Sequence, residues 1–368
     1  MLNYLPDTME TIQGQDILLN DFGKGAFSMI IVEDMEPKDV SALKEKIEAV
    51  DHVDSVIWYD SIADVSIPMD ILPDKIKDAF NTDHSTVMAV FFDTSTSADE
   101  TMEAINTIRD VTNNQCFVSG MSAMVTDLKN LCEQEEPIYV AIAVVLAVVV
   151  MMLFMDSFLI PIIFLVSIGM AILYNLGSNY FLGEISYITK ALSAILQLGV
   201  TMDYSIFLWH SYNEQKVRFD GDKERAMAHA ISNSIISVAS SSITTIAGFL
   251  SMCFMSFTLG ADLGIVMAKG VVFGLIACVT ILPSLILVFD KAIEKTRHKQ
   301  LMPKFDKVAK FITKRSWIFL IIFAVLIGPA VYGYSNTQKY YDLSQTMPQD
   351  MAVSYTHLTL PTNSLVSI

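Results

Sequence analysis

Hydrophobic positions change character near residue 136. Before it they form short runs separated by acidic, turn-rich stretches, and after it they form blocks about as long as a bilayer's hydrocarbon core. The first region repeats one pattern twice. Residues 27–32 (FSMIIV) predict a strand, 38–50 an amphipathic helix and 53–59 (VDSVIWY) a second strand. Residues 86–92 (TVMAVFF) then predict a strand, 98–111 a helix with Met102, Ile105 and Ile108 on one face, and 115–119 a short strand. Two βαβ units joined by polar loops predict a split-βαβ, ferredoxin-like sandwich, with 121–136 as a helix leading into the membrane.

The apolar blocks predict six spans: 137–155, 158–178, 186–209, 232–256, 262–289 and 316–334. The fold class expected is therefore an α+β polytopic membrane protein, a six-helix transmembrane bundle carrying an extracellular ferredoxin-like domain. Orientation follows from Lys and Arg in the short loops. Lys216, Arg218, Lys223 and Arg225 lie in 210–231, and nine more basic residues, from Lys291 to Arg315, lie in 290–315, so both loops are expected to be cytoplasmic. Residues 1–136 then fall outside. The turn at Asp156 and Ser157 falls inside without a basic residue of its own. Tyr332 and Tyr334 at the outer end of the last span, with Trp209 and Trp317 near inner ends, fit aromatic belts.

Composition removes some functions. With 52% hydrophobic and 17% charged residues and a mean hydropathy of +0.46, the chain is not a purely soluble enzyme. Residues 1–137 carry 27 Asp and Glu against 8 Lys and Arg, an excess that repels phosphate backbones and excludes nucleic acid as a partner. Four cysteines are too few for a disulfide framework, although Cys116 and Cys132 could pair if their domain is extracellular. His52 and His84 stand alone in polar surroundings and are read as surface residues, and no metal site is expected. Residues 1–14 hold Pro6, Asp7 and Glu10 but no signal-peptide pattern, so an upstream targeting helix is expected to precede them.

The third span, ALSAILQLGVTMDYSIFLW, contains Asp203 followed by Tyr204. A carboxylate there must face the bundle interior or water, which makes it a functional candidate. Apolar surroundings favour a carboxyl's neutral form, bringing proton binding and release within reach, and an adjacent phenol can donate to it or pass on a proton. The plainer alternative is a buried Asp fixed by a hydroxyl. Gly199, one turn earlier, permits close approach of another helix. The fourth span supplies Ser237, Ser240, Ser241, Ser242, Thr244 and Thr245. These hydroxyls either satisfy Asp203 and line a water file or, through Ser237, Ser241 and Thr245 at every fourth position, pack helices. Gly248 shares that helix and the same two readings. In the fifth span Gly260, Gly264 and Ala268, and then Gly270 and Gly274, repeat the spacing, and packing is the better reading. Lys269 is not expected to pair with Asp203, because the two depths differ by about 18 Å at roughly 1.5 Å per residue. Lys190 and Lys269 are expected to reach outward or contact the external domain.

These residues carry a family resemblance. Residues 199–208 (GVTMDYSIFL) resemble the Gly-x-x-x-Asp-Tyr signature of the MMPL family, within the resistance-nodulation-division (RND) superfamily of transporters. Residues 242–249 (SITTIAGF), 260–270 (GADLGIVMAKG) and Leu282–Pro283 resemble the helices that follow in that family, and NYLPDTMETIQG resembles the segment after its first helix. The resemblance implies twelve spans in two halves, each with a porter domain. Residues 1–136 would be the first porter domain, 137–289 five helices of the first half and 290–315 a basic linker. Residues 316–334 would be the first helix of the second half, and 335–353, with YYDLSQTMPQD, the start of its porter domain. Residues 354–368 resemble translated sequencing-adaptor read-through and are expected to be non-native.

The implied function is export of lipids, amphiphiles or drugs across the cell membrane. The energy source would be a proton gradient without a cofactor, with Asp203 and Tyr204 as half of a proton relay completed by the missing second half. Homo-oligomerisation is compatible with this. The alternatives are an RND-type accessory of protein secretion and a non-transporting receptor or scaffold with a ligand-binding ectodomain.

Overall fold

A computed structural model describes residues 6, 8–62, 80–82, 84–112, 115–183, 185–299 and 306–338. The start expected for a second porter domain at 339–353 and the tail 354–368 lie outside the described residues. A helix absent from the sequence expectation, α1 (Glu10–Phe22), comes first and buries none of its side chains. It stops at Gly23, whose φ of +64° belongs to the left-handed region that glycine enters freely.

Then follow β1 (Phe27–Glu33), α2 (Pro37–Glu48), β2 (Val53–Ile57), β3 (Ser85–Phe92), α3 (Asp99–Val111) and β4 (Cys116–Ser119). They form one antiparallel sheet in the order β2-β3-β1-β4. The register pairs Phe27 with Phe91 and Glu33 with Ser85 on one side of β1, and Met29 with Ser119 on the other. One sheet face is buried through Ile30, Val32, Met88, Val90 and Phe92. Val40, Leu43 and Ile47 of α2 and Ala104, Ile105 and Ile108 of α3 complete that core. Phe27, Met29 and Ile57 of the other face stay exposed, while Ile30, Ile31 and Val32 are all buried. His52 and His84 are at the surface, beside Asp93 and Asp34 respectively. No disulfide joins Cys116 to Cys132.

Gly120 turns β4 into α4 (Met121–Phe154) at φ +109°, where a Cβ would stand 3.2 Å from Ser28 Cα. The new helix is tied to α3 by Arg109, which donates to both carboxylate oxygens of Asp127, and by Lys129 donating to Asp99 at 2.7 Å. It continues through Pro137 into the first apolar block without a break.

The remaining helices are α5 (Ile160–Gly177), α6 (Tyr187–Arg218), α7 (Lys223–Ser251), α8 (Thr258–Val279), α9 (Ile281–Lys295), α10 (Asp306–Lys314) and α11 (Ser316–Asn336). Among the described residues six helices are long and apolar enough to cross a membrane: α4, α5 with its 3₁₀ extension, α6, α7, α8 with α9, and α11. Helices α5, α6 and α8 bury the most, whereas α11 buries no residue. The expected loop 210–231 is instead two helical ends joined by a turn, with Asp220 and Gly221 at positive φ and Asp222 capping α7 by accepting from Arg225 N at 3.1 Å. Hydropathy marks where a chain crosses a membrane, and charged residues extend a helix beyond that point. The fifth span is broken at Thr280, three residues before Pro283, whose ring cannot supply the backbone N–H a continuous helix needs.

One end of the bundle is braced by Asp156, 8% exposed in the α4–α5 turn. It accepts from Arg297 Nε at 3.0 Å and Nη2 at 2.7 Å, and from Trp209 Nε1 of α6 at 3.0 Å. Ser157 bonds Thr296 at 2.8 Å, and Phe158 packs on His298 with ring centroids 4.2 Å apart. Beside them Tyr212 and Lys216 donate to Asp290 at 2.9 and 2.7 Å. The turn that had no basic residue of its own therefore takes one from the basic segment after α9. Trp209 corrects the belt expectation, being buried as a hydrogen-bond donor, while Trp317, Tyr332 and Tyr334 are exposed.

Replacing Asp156 with Ala leaves the Trp209 indole and Arg297 without their acceptor. A loss of about 1–3 kcal/mol is expected, seen as a lower thermal midpoint of the purified chain in detergent. An unchanged midpoint would mean that the brace contributes nothing.

Candidate functional site

Asp203 and Tyr204 are consecutive on α6, so a helix turns their side chains about 100° apart. Tyr204 points inward, 6% exposed, and its hydroxyl has no hydrogen-bond partner. Asp203 lies on the outward face with Gly199 and Phe207, one turn to either side, and is exposed. Among the described residues it has neither an ion pair nor a hydrogen bond. Helix α7 packs along α6 and closes one side of an open cleft of about 330 Å³. The cleft is lined by Val200, Asp203, Tyr204 and Phe207 from α6 and by Ser237, Val238, Ser241 and Thr245 from α7.

The polar stripe of α7 and the Asp-Tyr pair thus share one space. The hydroxyls do not bond Asp203 directly. Thr245 donates to Ser241 O at 3.0 Å, Thr244 to Ser240 O at 3.0 Å and Ser242 to Val238 O at 2.8 Å, each spending its proton one turn back on its own helix. Their oxygens keep lone pairs free to accept from water or another donor. Thr244 and Gly248 lie outside the cleft lining, and both are exposed.

The glycines divide into two groups. Along α8, a Cβ on Gly260 would meet Met255 Sδ at 2.9 Å and one on Gly264 the backbone oxygen of Phe249 at 2.6 Å. On Gly270 it would meet Asn175 Nδ2 at 2.7 Å, and on Gly274 Thr201 Oγ1 at 2.5 Å. These four sit where neighbouring elements approach closely. Gly199 and Gly248, by contrast, have no atom within 4 Å of such a Cβ, so among the described residues no helix lies against the face of α6 and α7 that carries Asp203.

Two residues outside the sequence candidates bind the same helices together. Asn175 Nδ2 of α5 donates to Gln197 Oε1 of α6 at 2.9 Å, and Gln197 Nε2 donates to Gly270 O of α8 at 3.1 Å. An amide inside an apolar run is the signal that marks them. At the opposite end from the Asp156 brace, Asp262 accepts from Ser186 N at 3.0 Å and Thr189 Oγ1 at 2.5 Å. Lys269 donates to Asn179 and Lys190 stands 3.8 Å from Glu136, so neither lysine serves Asp203.

A sequence model of the MMPL family matches residues 38–319, which include strands β2, β3 and β4, the cleft and the start of α11. The chain belongs to the MMPL family. Among similar proteins, a membrane protein of Methanocaldococcus jannaschii is 24% identical over 289 residues, covering 72% of this chain and 74% of its own. The apo-petrobactin exporter of Bacillus anthracis is 22% identical over 393 aligned positions, covering 94% of this chain and 52% of its own. The siderophore exporter MmpL5 of Mycobacterium tuberculosis is 25% identical over 212 residues, 54% of this chain and 22% of its own. The chain thus spans about half the length of the apo-petrobactin exporter. Family and apolar helices together make it a multi-pass membrane protein.

The two groups of glycines have opposite consequences. Gly264→Ala drives a methyl into backbone and is expected to lower the thermal midpoint of the purified chain, at a cost of about 1–3 kcal/mol. Gly199→Ala enters open space in a helix interior and is expected to hold or raise it, by up to about 1 kcal/mol. Equal effects of the two substitutions would contradict the packing described.

Proposed function

We propose that this MMPL protein is part of a proton-driven exporter of amphiphilic small molecules, with Asp203 and Tyr204 as one half of its proton relay. The observation that carries the reading is a titratable carboxylate within an apolar span that shares a cleft with a phenol and three hydroxyls and, among the described residues, has no counter-ion. A purely structural aspartate is held as Asp156 and Asp262 are, by two or more donors. Asp203 is free to change protonation without breaking an internal bond. Protonation removes its charge and changes what it accepts or donates, which biases helix packing around α6 and α7.

A second helical bundle, supplying the complementary half of the relay, would cover the face on which Gly199, Asp203, Ser241 and Gly248 lie. Residues 1–136, with the sheet of 27–119 at their centre, would serve as an extracellular porter domain of ferredoxin-like form. The strand order β2-β3-β1-β4, with α2 and α3 on one face, supports that form. For orientation, the support is the concentration of Lys and Arg around α6–α7 and after α9. The bond from Asp156 to Arg297 joins the α4–α5 turn to the same basic end. The cargo proposed is a lipid, drug or other amphiphile, siderophores among them, since two relatives are named as siderophore or petrobactin exporters. No resident cofactor is invoked.

Asp203→Asn keeps the side chain's shape and removes its titrating proton. In the complete transporter it is expected to insert normally and to reduce cargo movement at a fixed proton gradient to the level without protein. Wild-type transport would overturn the relay, and cargo binding without any proton-dependent movement in the unmutated protein would favour a receptor instead.

Orientation is tested with single cysteines. Asp70 lies outside the described residues, so Glu45, exposed on α2, serves as the outer position. A cysteine at Glu45 is expected to react with an impermeant maleimide added to intact cells, and one at Lys223 only after lysis. The reverse pattern would invert the topology.

A further inference from the structure

The transport reading leaves α10 without a role. All of its nine residues are exposed, and its nearest packing partner is α11. Val308, Phe311 and Ile312 recur at the i, i+3, i+4 spacing of one helix face and are 49%, 53% and 44% exposed. Lys307, Lys310 and Lys314 share a second face, centred about 120° round the helix from the apolar one. The helix has a side for hydrocarbon and a side for negative charge.

What covers the apolar side follows from its connection to α11. Phe311 meets Phe319, in the first turn of α11, edge-on with ring centroids 6.0 Å apart, and Arg315 lies 5.6 Å above the Phe311 ring. The apolar stripe of α10 therefore runs directly into the side of a membrane span that starts two residues after Lys314. A short helix with these two faces, adjoining a span, lies in the plane of the membrane interface, and its lysines stand where phosphates are.

We propose that α10 is a docking surface for anionic phospholipid. Val308, Phe311 and Ile312 enter the acyl region, and Lys307, Lys310 and Lys314 bind acidic headgroups, with a preference over zwitterionic lipid on the order of fivefold per lysine. Because α10 joins α9 to α11, the lipid charge of one leaflet fixes the height at which α11 enters the membrane. The inference is independent of the proton relay.

The test uses the whole chain in nanodiscs, with Cys116, Cys132, Cys253 and Cys278 replaced by Ala and a spin label at Ile312 or at Lys310. Collision rates with oxygen and with a water-soluble nickel complex are compared in phosphatidylcholine alone and in phosphatidylcholine mixed with phosphatidylglycerol. The Ile312 label is expected to favour oxygen and the Lys310 label nickel. Phosphatidylglycerol should deepen the Ile312 label, and Lys307→Gln, Lys310→Gln and Lys314→Gln together should abolish that response. Nickel access at Ile312 equal to that at Lys310 would place the helix in water or against a protein and overturn the proposal. So would an Ile312 depth indifferent to phosphatidylglycerol, or a response that survives the triple substitution.

Discussion

A carboxylate cannot be left facing hydrocarbon, and the arrangement of this protein turns on how its intramembrane polar groups meet that constraint. Near the ends of the bundle, Asp156 and Asp262 are each held by several donors. In the middle, Asn175 and Gln197 hand a chain of hydrogen bonds across α5, α6 and α8. These contacts fix α6 against its neighbours along its inward side. The outward side of the same helix carries Asp203, which has no such partner among the described residues, and α7 adds a row of hydroxyls to it.

The two sides of α6 therefore differ in kind. Its inward side is finished, and the glycines of α8 show how close that packing is. Its outward side carries an exposed carboxylate and Gly199 with open space above it, and beside it the cleft reaches the inward-pointing phenol of Tyr204, whose buried hydroxyl is unpaired. A buried unpaired hydroxyl costs free energy, so Tyr204 gains from any donor or acceptor brought into the cleft. The face is stable in a membrane only when protein or water covers it, and a cover bearing its own polar groups would complete both the packing and the chemistry.

Much of this was legible in the residues. Short apolar runs located the four strands of the sheet to within about two residues, because each strand has a face on the core. Hydropathy located the six spans but not the helix ends, since Lys216, Arg218 and Lys223 continue helices past the apolar stretch. The brace at Asp156 was not legible, because it needs Arg297, 141 residues away, brought beside it by folding. The Asp203 carboxylate was the plainest signal in the chain, yet that Ser237, Ser241 and Thr245 would share its cleft while Thr245 donates its proton to its own helix is a matter of rotamers that spacing does not reveal. Nor did spacing separate Gly199 and Gly248, which nothing approaches, from Gly264 and Gly274, which neighbours crowd.

The most direct measurement of whether the Asp203 face is an interface is the oxygen accessibility of a spin label at Ser237, compared between this chain alone and the complete transporter in the same lipid. Lipid-level accessibility in the chain alone, falling severalfold in the complete transporter, is the expected result. Equal and high accessibility in both would mean that no second bundle covers Asp203, and the half-relay would have to be abandoned.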